Sequence, residues 1–250
     1  MLTSHKYLEG LINTSFLWSG VFFDLEMVDL PVLNGYRSRV IPNNQRLGKV
    51  VEQLVFSELD QVIDCQILAR NIQIFRDKVT IGEIDCIFSL ASEVIHLEII
   101  YKFYLYDPTI EGEVNRWIGP NRKDCLLNKL NKLKNKQFPL LRESETIFFL
   151  ESLNLDVNNI IQKAYFKAQL FVPLDSIGDQ YDLINNDCIE GFYINARELL
   201  NFKSYKFFVP AKTDWLLKPH INVEWMNYEV FIVLSVTYIS NEKSPMCWMK

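Results

Sequence analysis

From Val94 to Leu105 the odd positions, Ile95, Leu97, Ile99, Tyr101, Phe103 and Leu105, are all apolar or aromatic. A period of two over twelve residues reads as a β-strand with one face buried against helices. The even positions are Val94, His96, Glu98, Ile100, Lys102 and Tyr104. A carboxylate and an ammonium thus point the same way in the middle of an otherwise hydrophobic central strand. Isolated buried charge is costly, so these groups need partners.

The preceding segment supplies one. In Ile81 to Phe88 the even positions Gly82, Ile84, Cys86 and Phe88 are apolar, and the odd face holds Glu83 and Asp85. Antiparallel pairing sets Asp85 beside Glu98. Two adjacent carboxylates repel unless a proton or a cation lies between them, and a bound divalent metal is the more complete answer. Asn71 to Phe75 alternates as well and puts the Gln73 amide on the polar side. The structural alternative is a Glu98–Lys102 ion pair buried in a sheet, with Asp85 at a strand end, Glu52 on a solvated helix flank and His96 a hydrogen-bonded, half-buried residue.

Around this meander the pattern changes to helical spacing. Residues 1–30 read as helical, with Leu8, Leu11, Ile12 and Phe16 near one face, until Pro31, Asn34-Gly35 and Pro42-Asn43-Asn44 break the pattern. From Arg46 to Asp60, Leu47, Val50, Val51, Leu54, Val55 and Leu59 recur at three and four, an amphipathic helix with Glu52 on its flank. A polar connection, 107–121, leads to a second helix over Arg122 to Gln137 carrying Leu126, Leu130 and Leu133. Thr146 to Leu153 and Ala164 to Leu174 read as strands around a short helical segment near 157–163. The division expected is a helical lead over 1–45, a core over 46–175 and an aromatic-rich elaboration over 176–250.

Composition narrows the chemistry. The three histidines and five cysteines form no H-E-x-x-H or C-x-x-C pair, and phosphate-loop, dinucleotide-binding and G-x-S-x-G signatures are absent. Carboxylates and lysines are the tools left to an enzyme. Unpaired cysteines suit a reducing, cytoplasmic setting. The uncharged runs 10–23 and 230–241 are too short to span a bilayer, so no membrane partner is expected. A hydrophobic content of 49% with only 9 Gly and 9 Pro describes a folded chain rather than a disordered one.

The order helix Glu52, strand Asp85, strand Glu98 and Lys102 resembles the PD-(D/E)XK nuclease superfamily. More closely, Leu47-Gly48 with Glu52, Ala69 to Gln73, Gly82-Glu83-Ile84-Asp85, His96-Leu97-Glu98 through Lys102 to Leu105, and Trp117-Ile118-Gly119-Pro120-Asn121 resemble an uncharacterised bacterial family assigned to that superfamily. The likeness covers roughly residues 45–140. It implies an α/β restriction-endonuclease-like core, a mixed central sheet flanked by helices, and a Mg²⁺- or Mn²⁺-dependent nuclease hydrolysing DNA phosphodiester bonds. In that reading Asp85, Glu98 and Glu52 hold the metal, and Lys102 orients the attacking hydroxide. Gln73, Glu83, His96 and Gln137 lie behind the ligands or touch phosphate.

Two positions depart from the superfamily's pattern. The usual spacing is Glu-x-Lys, whereas Ile100 occupies the ordinary lysine position here, and Ile84 replaces the Pro before Asp85. Two residues of strand span roughly 6.6 Å and four roughly 13 Å unless a bulge shortens the gap. A remote Lys102 favours the rival reading, a catalytically inactive nuclease fold serving as a nucleic-acid or protein binding module.

Arg122, Lys123, Lys129, Lys132, Lys134 and Lys136 stand against one acid, Asp124, in a chain of net charge −5. As a basic strip, Arg122, Lys123, Lys129, Lys132 and Lys136 suit contact with nucleic-acid phosphates. A solvated lysine-rich helix face is the plainer alternative.

Overall fold

A computed structural model describes residues 4–31, 45–220, 222–241 and 245–250. The breaks expected at Asn34-Gly35 and Pro42-Asn43-Asn44 lie outside the described residues. The first helix, α1 (Ser4–Asn13), buries Leu8 and Leu11. The chain then turns into a two-stranded hairpin, β1 (Val21–Phe22) and β2 (Leu25–Glu26), so the expected helical lead ends at Asn13. Gly20, Phe23 and Asp24 all have positive φ, which no helix continues through.

The amphipathic helix α2 (Leu47–Leu59) follows, burying Val50, Val51, Leu54 and Val55. It leads into a meander of three long strands: β3 (Cys65–Arg76), β4 (Val79–Leu90) and β5 (Glu93–Tyr106). Next come a single helical turn, α3 (Glu113–Arg116), and a two-residue strand, β6 (Trp117–Ile118), that pairs with the end of β5. The second long helix begins only at Leu126, as α4 (Leu126–Lys132), because Arg122 has φ +54° and closes a turn onto the Gly119 carbonyl. It runs on through a π-helical turn, Leu133–Gln137, and a 3₁₀ turn, Pro139–Arg142.

The segment expected as a strand over 146–153 is a helix, α5 (Ser144–Ser152). Its β-branched and aromatic residues suggest a strand, but it buries Thr146 and Leu150, four apart, and leaves Phe148 exposed. The strand expected near 164 starts earlier, as β7 (Ile160–Pro173), and only Val157–Asn159 before it is helical. A further strand, β8 (Ile189–Tyr193), extends the sheet. The last part holds β9 (Phe207–Phe208), α6 (Tyr228–Ser240) and β10 (Trp248–Met249), gathered around Phe202, Phe207, Tyr228 and Phe231.

The central sheet has six strands in the order β3-β4-β5-β7-β8, with β6 beside β5. It is mixed: β3, β4 and β5 are antiparallel, whereas β7 is parallel to both β5 and β8. On one face α1 and α2 pack over Cys86, Phe88, Ile95, Leu97 and Tyr165. On the other, Leu126 and Leu130 of α4 and Leu133 of the π-turn pack over Ile100, Tyr104, Phe166 and Ala168. The two-residue alternation of β5 therefore points odd positions to α2 and even positions to α4. Among the described residues no helix is long and apolar enough to cross a membrane.

Candidate functional site

Along one edge, β5 is paired continuously with β7 from Val94 to Leu105. Along the other it is not. Its ladder with β4 ends at Cys86↔Leu97, and pairing with β6 resumes only at Leu105↔Ile118. Between those points the sheet is open on the β4 side. At the start of the opening, Asp85 Oδ2 accepts the Ile99 N–H at 2.9 Å, so a carboxylate takes the place of the next backbone carbonyl.

The alternation of β4 slips at the same residue. Ile84 and Ile87, three apart, share one cluster with Leu140, whereas Cys86 and Phe88 face α2. The apolar set expected on one face, Gly82, Ile84, Cys86 and Phe88, is thus divided between two. On β3 the register runs unshifted through Arg70↔Cys86 and Ile72↔Ile84, and Asn71 between them, opposite Asp85, has φ +53°.

Glu98, on the even face of β5, is fully buried, and both its oxygens are engaged. His96 Nε2 lies 3.1 Å from Oε1, and the Gln137 amide donates to Oε2. Gln162 Nε2 donates to the Phe138 carbonyl at 2.7 Å and faces His96 Nδ1 at 3.0 Å. The amide nitrogen is thereby fixed as a donor to both, so His96 is the tautomer with its proton on Nε2, aimed at Glu98. Burial holds the His96 pKa down to about 4, which keeps the ring neutral.

Lys129 Nζ donates to Gln137 Oε1 at 2.8 Å, and the same amide reaches Glu98. A π-turn makes this alignment. Eight residues of regular α-helix leave two side chains about 80° apart, whereas one residue taken up in a wide turn cuts that to roughly 20°. Burial lowers the Lys129 pKa, and Glu98 and Asp85 oppose that shift. Burial likewise raises Glu98, with Lys129 and Lys132 pulling it back. Asp85 rises to about 7, first through burial and then through the charge of Glu98.

On the outer side, Lys49 Nζ donates to Glu52 Oε2 at 2.7 Å, to Glu83 Oε1 at 2.9 Å and to Asn71 Oδ1 at 3.4 Å. Burial raises Glu52, the Lys49 hydrogen bond lowers it, and the charge of Asp85 raises it further. Glu52, Glu83, Asp85 and Glu98 thus form one electrostatic group drawn from α2, β4 and β5. Among the described residues no three His, Cys, Asp or Glu side chains stand close enough together to hold a metal ion.

Several sequence expectations are corrected here. Lys102 does not join the carboxylates: its Nζ donates to Asp124 Oδ2 at 2.6 Å, four residues along the strand being too long a step. Asp124 approaches Gly119 so closely that a Cβ there would lie 2.0 Å from Oδ1, which accounts for the glycine after Trp117-Ile118. Lys129, expected on a phosphate-contacting surface, points inward. Arg122 lies outside the helix and pairs with Asp107 at 2.8 Å, while Lys123, Lys132 and Lys136 are exposed. Lys134 is paired with Asp24. Gln73 lines a groove with Ile74, Phe75, Phe148 and Phe149, on the α5 side of β3.

Sequence reasoning missed Lys49 and Gln162, and misplaced Lys129. The last had a signal. Lys129 is three residues after Leu126 and four before Leu133, and so lies on the apolar face that those leucines define.

Fold and site together define a mixed α/β protein whose central sheet opens around a buried carboxylate group served by one inward-facing lysine. Residues 30–249 match the model of the domain of unknown function DUF1853, and the chain belongs to that family. No curated protein and no solved structure matches it.

Proposed function

We propose that this protein is a metal-dependent nuclease of the PD-(D/E)XK type, hydrolysing DNA phosphodiester bonds with Mg²⁺ or Mn²⁺. The observation that carries the reading is the Asp85–Glu98 pair at the opening of the sheet, with Lys129 turned toward it through Gln137. The order of a helix, a three-stranded meander, a helix and a strand parallel to β5 agrees with the mixed, helix-flanked sheet that the resemblance implies.

The donor chemistry fits a hard divalent cation. Asp85 and Glu98 offer carboxylate oxygens whose mutual repulsion favours a positive charge between them, whereas Glu52 acts on Asp85 through its charge and is not close enough to complete a three-residue ligand set. Bound there, the metal would offset charge building on the phosphate. The chain's own residues do the rest. Ile99 N–H holds Asp85 in the plane of the sheet, and His96 and Gln137 fix the Glu98 carboxylate from both sides. Lys129 takes the part the resemblance assigned to Lys102. Its lowered pKa lets Nζ exchange a proton with an attacking water near neutral pH. Exposed Lys123, Lys132 and Lys136 offer phosphate contacts beside the same helix.

The test is cleavage of supercoiled plasmid, linear duplex, single-stranded DNA and RNA with each ion. Mn²⁺- or Mg²⁺-dependent cleavage of DNA is expected. Asp85→Asn should abolish it, and Lys129→Met should lower it by about 100-fold or more. Lys102→Met should stay within about three-fold, the scale of a lost surface pair. Absence of cleavage of every substrate by folded protein would overturn the reading. The second reading, an inactive fold kept as a binding module, is favoured by the Lys102–Asp124 pair. Retention of DNA without cleavage, unchanged in Asp85→Asn, would select it.

A further inference from the structure

β3 is the outermost strand of the sheet and is paired with β4 on one side only. Among the described residues its other edge makes no backbone ladder, so a row of N–H and C=O groups is left for an added strand. Open edges are ordinarily guarded by charge, proline or a bulge. Ile72-Gln73-Ile74-Phe75 has neither charge nor proline, and where the register shifts between Ile74 and Phe75 the extra residue falls on β4. Beside this edge runs a groove lined by Ile72, Ile74 and Phe75 of β3 and by Phe148 and Phe149 of α5. Phe75 is 51% exposed and Phe148 76%. Arg76 donates to Glu145 Oε1 and to Glu143 Oε2, both at 2.6 Å, and so ties the end of β3 to the start of α5. The wall of the groove is thereby formed in advance.

We propose that this edge is a dimer interface, in which β3 pairs antiparallel with β3 of a second copy about a two-fold axis near Gln73 and Ile74. The inference goes beyond the nuclease reading and does not depend on it. A second copy supplies both things the edge lacks, an extended strand with unpaired backbone groups and an apolar wall. A two-fold axis perpendicular to the sheet keeps α5 of both copies on one face, so each Phe148 lies beside the seam and two half-grooves close into one apolar space. Covering Phe75, Phe148 and the strand edge of both copies removes roughly 1,200 Å² from water, the lower end of what a specific dimer buries. An isolated extended peptide would satisfy the strand but brings no second helix to cover Phe148.

Sedimentation velocity on the full chain from about 1 to 200 µM tests this, comparing wild type with Phe148→Glu and with Val233→Glu. Phe148 is exposed in the single chain, so its substitution leaves the fold intact, and Val233, 69% exposed on α6, is the control on an apolar residue away from the edge. Wild type should dimerise with a Kd on the order of 10 µM, Phe148→Glu should weaken the dimer at least about ten-fold, and Val233→Glu should match wild type. Amide exchange in β3 should slow in wild type as concentration rises, and should not in Phe148→Glu. A monomeric wild type at the highest concentration would overturn the inference. So would a dimer that Phe148→Glu leaves intact, one that Val233→Glu dissociates, or one in which exchange along β3 is unchanged.

Discussion

At the scale of single residues, Asp85 and His96 oppose each other. The Asp85 pKa is raised to about 7, so its contribution to stability is full below the ordinary carboxyl range and is lost as pH rises toward 7. The His96 pKa is lowered to about 4, so its contribution is full above the ordinary imidazole range and is lost as pH falls through 4. Between pH 4 and 6.5 the two slopes offset one another. Asp85→Asn removes only the first. In metal-free protein the substitution should therefore stabilise the fold by roughly 2–4 kcal/mol at pH 8, with the gain shrinking toward pH 4. Thermal melts of both proteins across that range check it. A carboxylate that destabilises the fold is what a functional site predicts, and a constant or reversed difference would show that Asp85 is a structural ion.

At the scale of elements, the π-turn between α4 and the 3₁₀ turn decides where Gln137 points. Gln137→Leu should disconnect Lys129 from Glu98 and leave the buried carboxylate one donor short, costing about 1–3 kcal/mol in chemical denaturation. Deleting exposed Asn135 should behave differently. It removes the residue taken up by the wide turn, returns the segment to α-helix and keeps Gln137 over Lys129, so stability should change by less than about 1 kcal/mol. A loss as large as that of Gln137→Leu would contradict the alignment.

The same elements show what the sequence made legible. Alternation in β5 and three-four spacing in α2 identified both elements and the faces they bury, because each rests on a local period that packing reinforces. Antiparallel pairing predicted Asp85 beside Glu98, but the ladder stops at Cys86↔Leu97, one residue short of that pair, and the two act on each other through their charge. The helix at Ser144–Ser152 was hidden because its β-branched and aromatic residues favour a strand locally, and only tertiary packing of Thr146 and Leu150 selects the helix. Lys102 was misplaced for another reason. A shared strand face is a direction and not a distance, and the lysine linked to Glu98, through Gln137, comes from a helix about 30 residues downstream.

At the scale of the whole molecule, the first segment belongs to the core although the family match begins at residue 30. Leu17 N–H donates to the Phe166 carbonyl and Val28 N–H to the Ala164 carbonyl, each at 2.9 Å. The buried Lys167 ammonium caps α1 by donating to the Leu11 and Ile12 carbonyls, also at 2.9 Å. Removing residues 1–28 would expose the apolar faces of β7 and α2 and leave Lys167 without acceptors. The shortened chain should lose its cooperative unfolding transition in urea. A transition within about 1 kcal/mol of the full chain would contradict this role.

Asp85 and Glu98, at the opening of the sheet, are the carboxylates proposed to take a divalent cation. Mn²⁺ calorimetry on wild type and Asp85→Asn tests it without a choice of nucleic-acid substrate. Saturable binding by wild type is expected, abolished by Asp85→Asn and left intact by Lys102→Met. Equal binding by folded Asp85→Asn, or no uptake of Mn²⁺ by folded wild type, would contradict it.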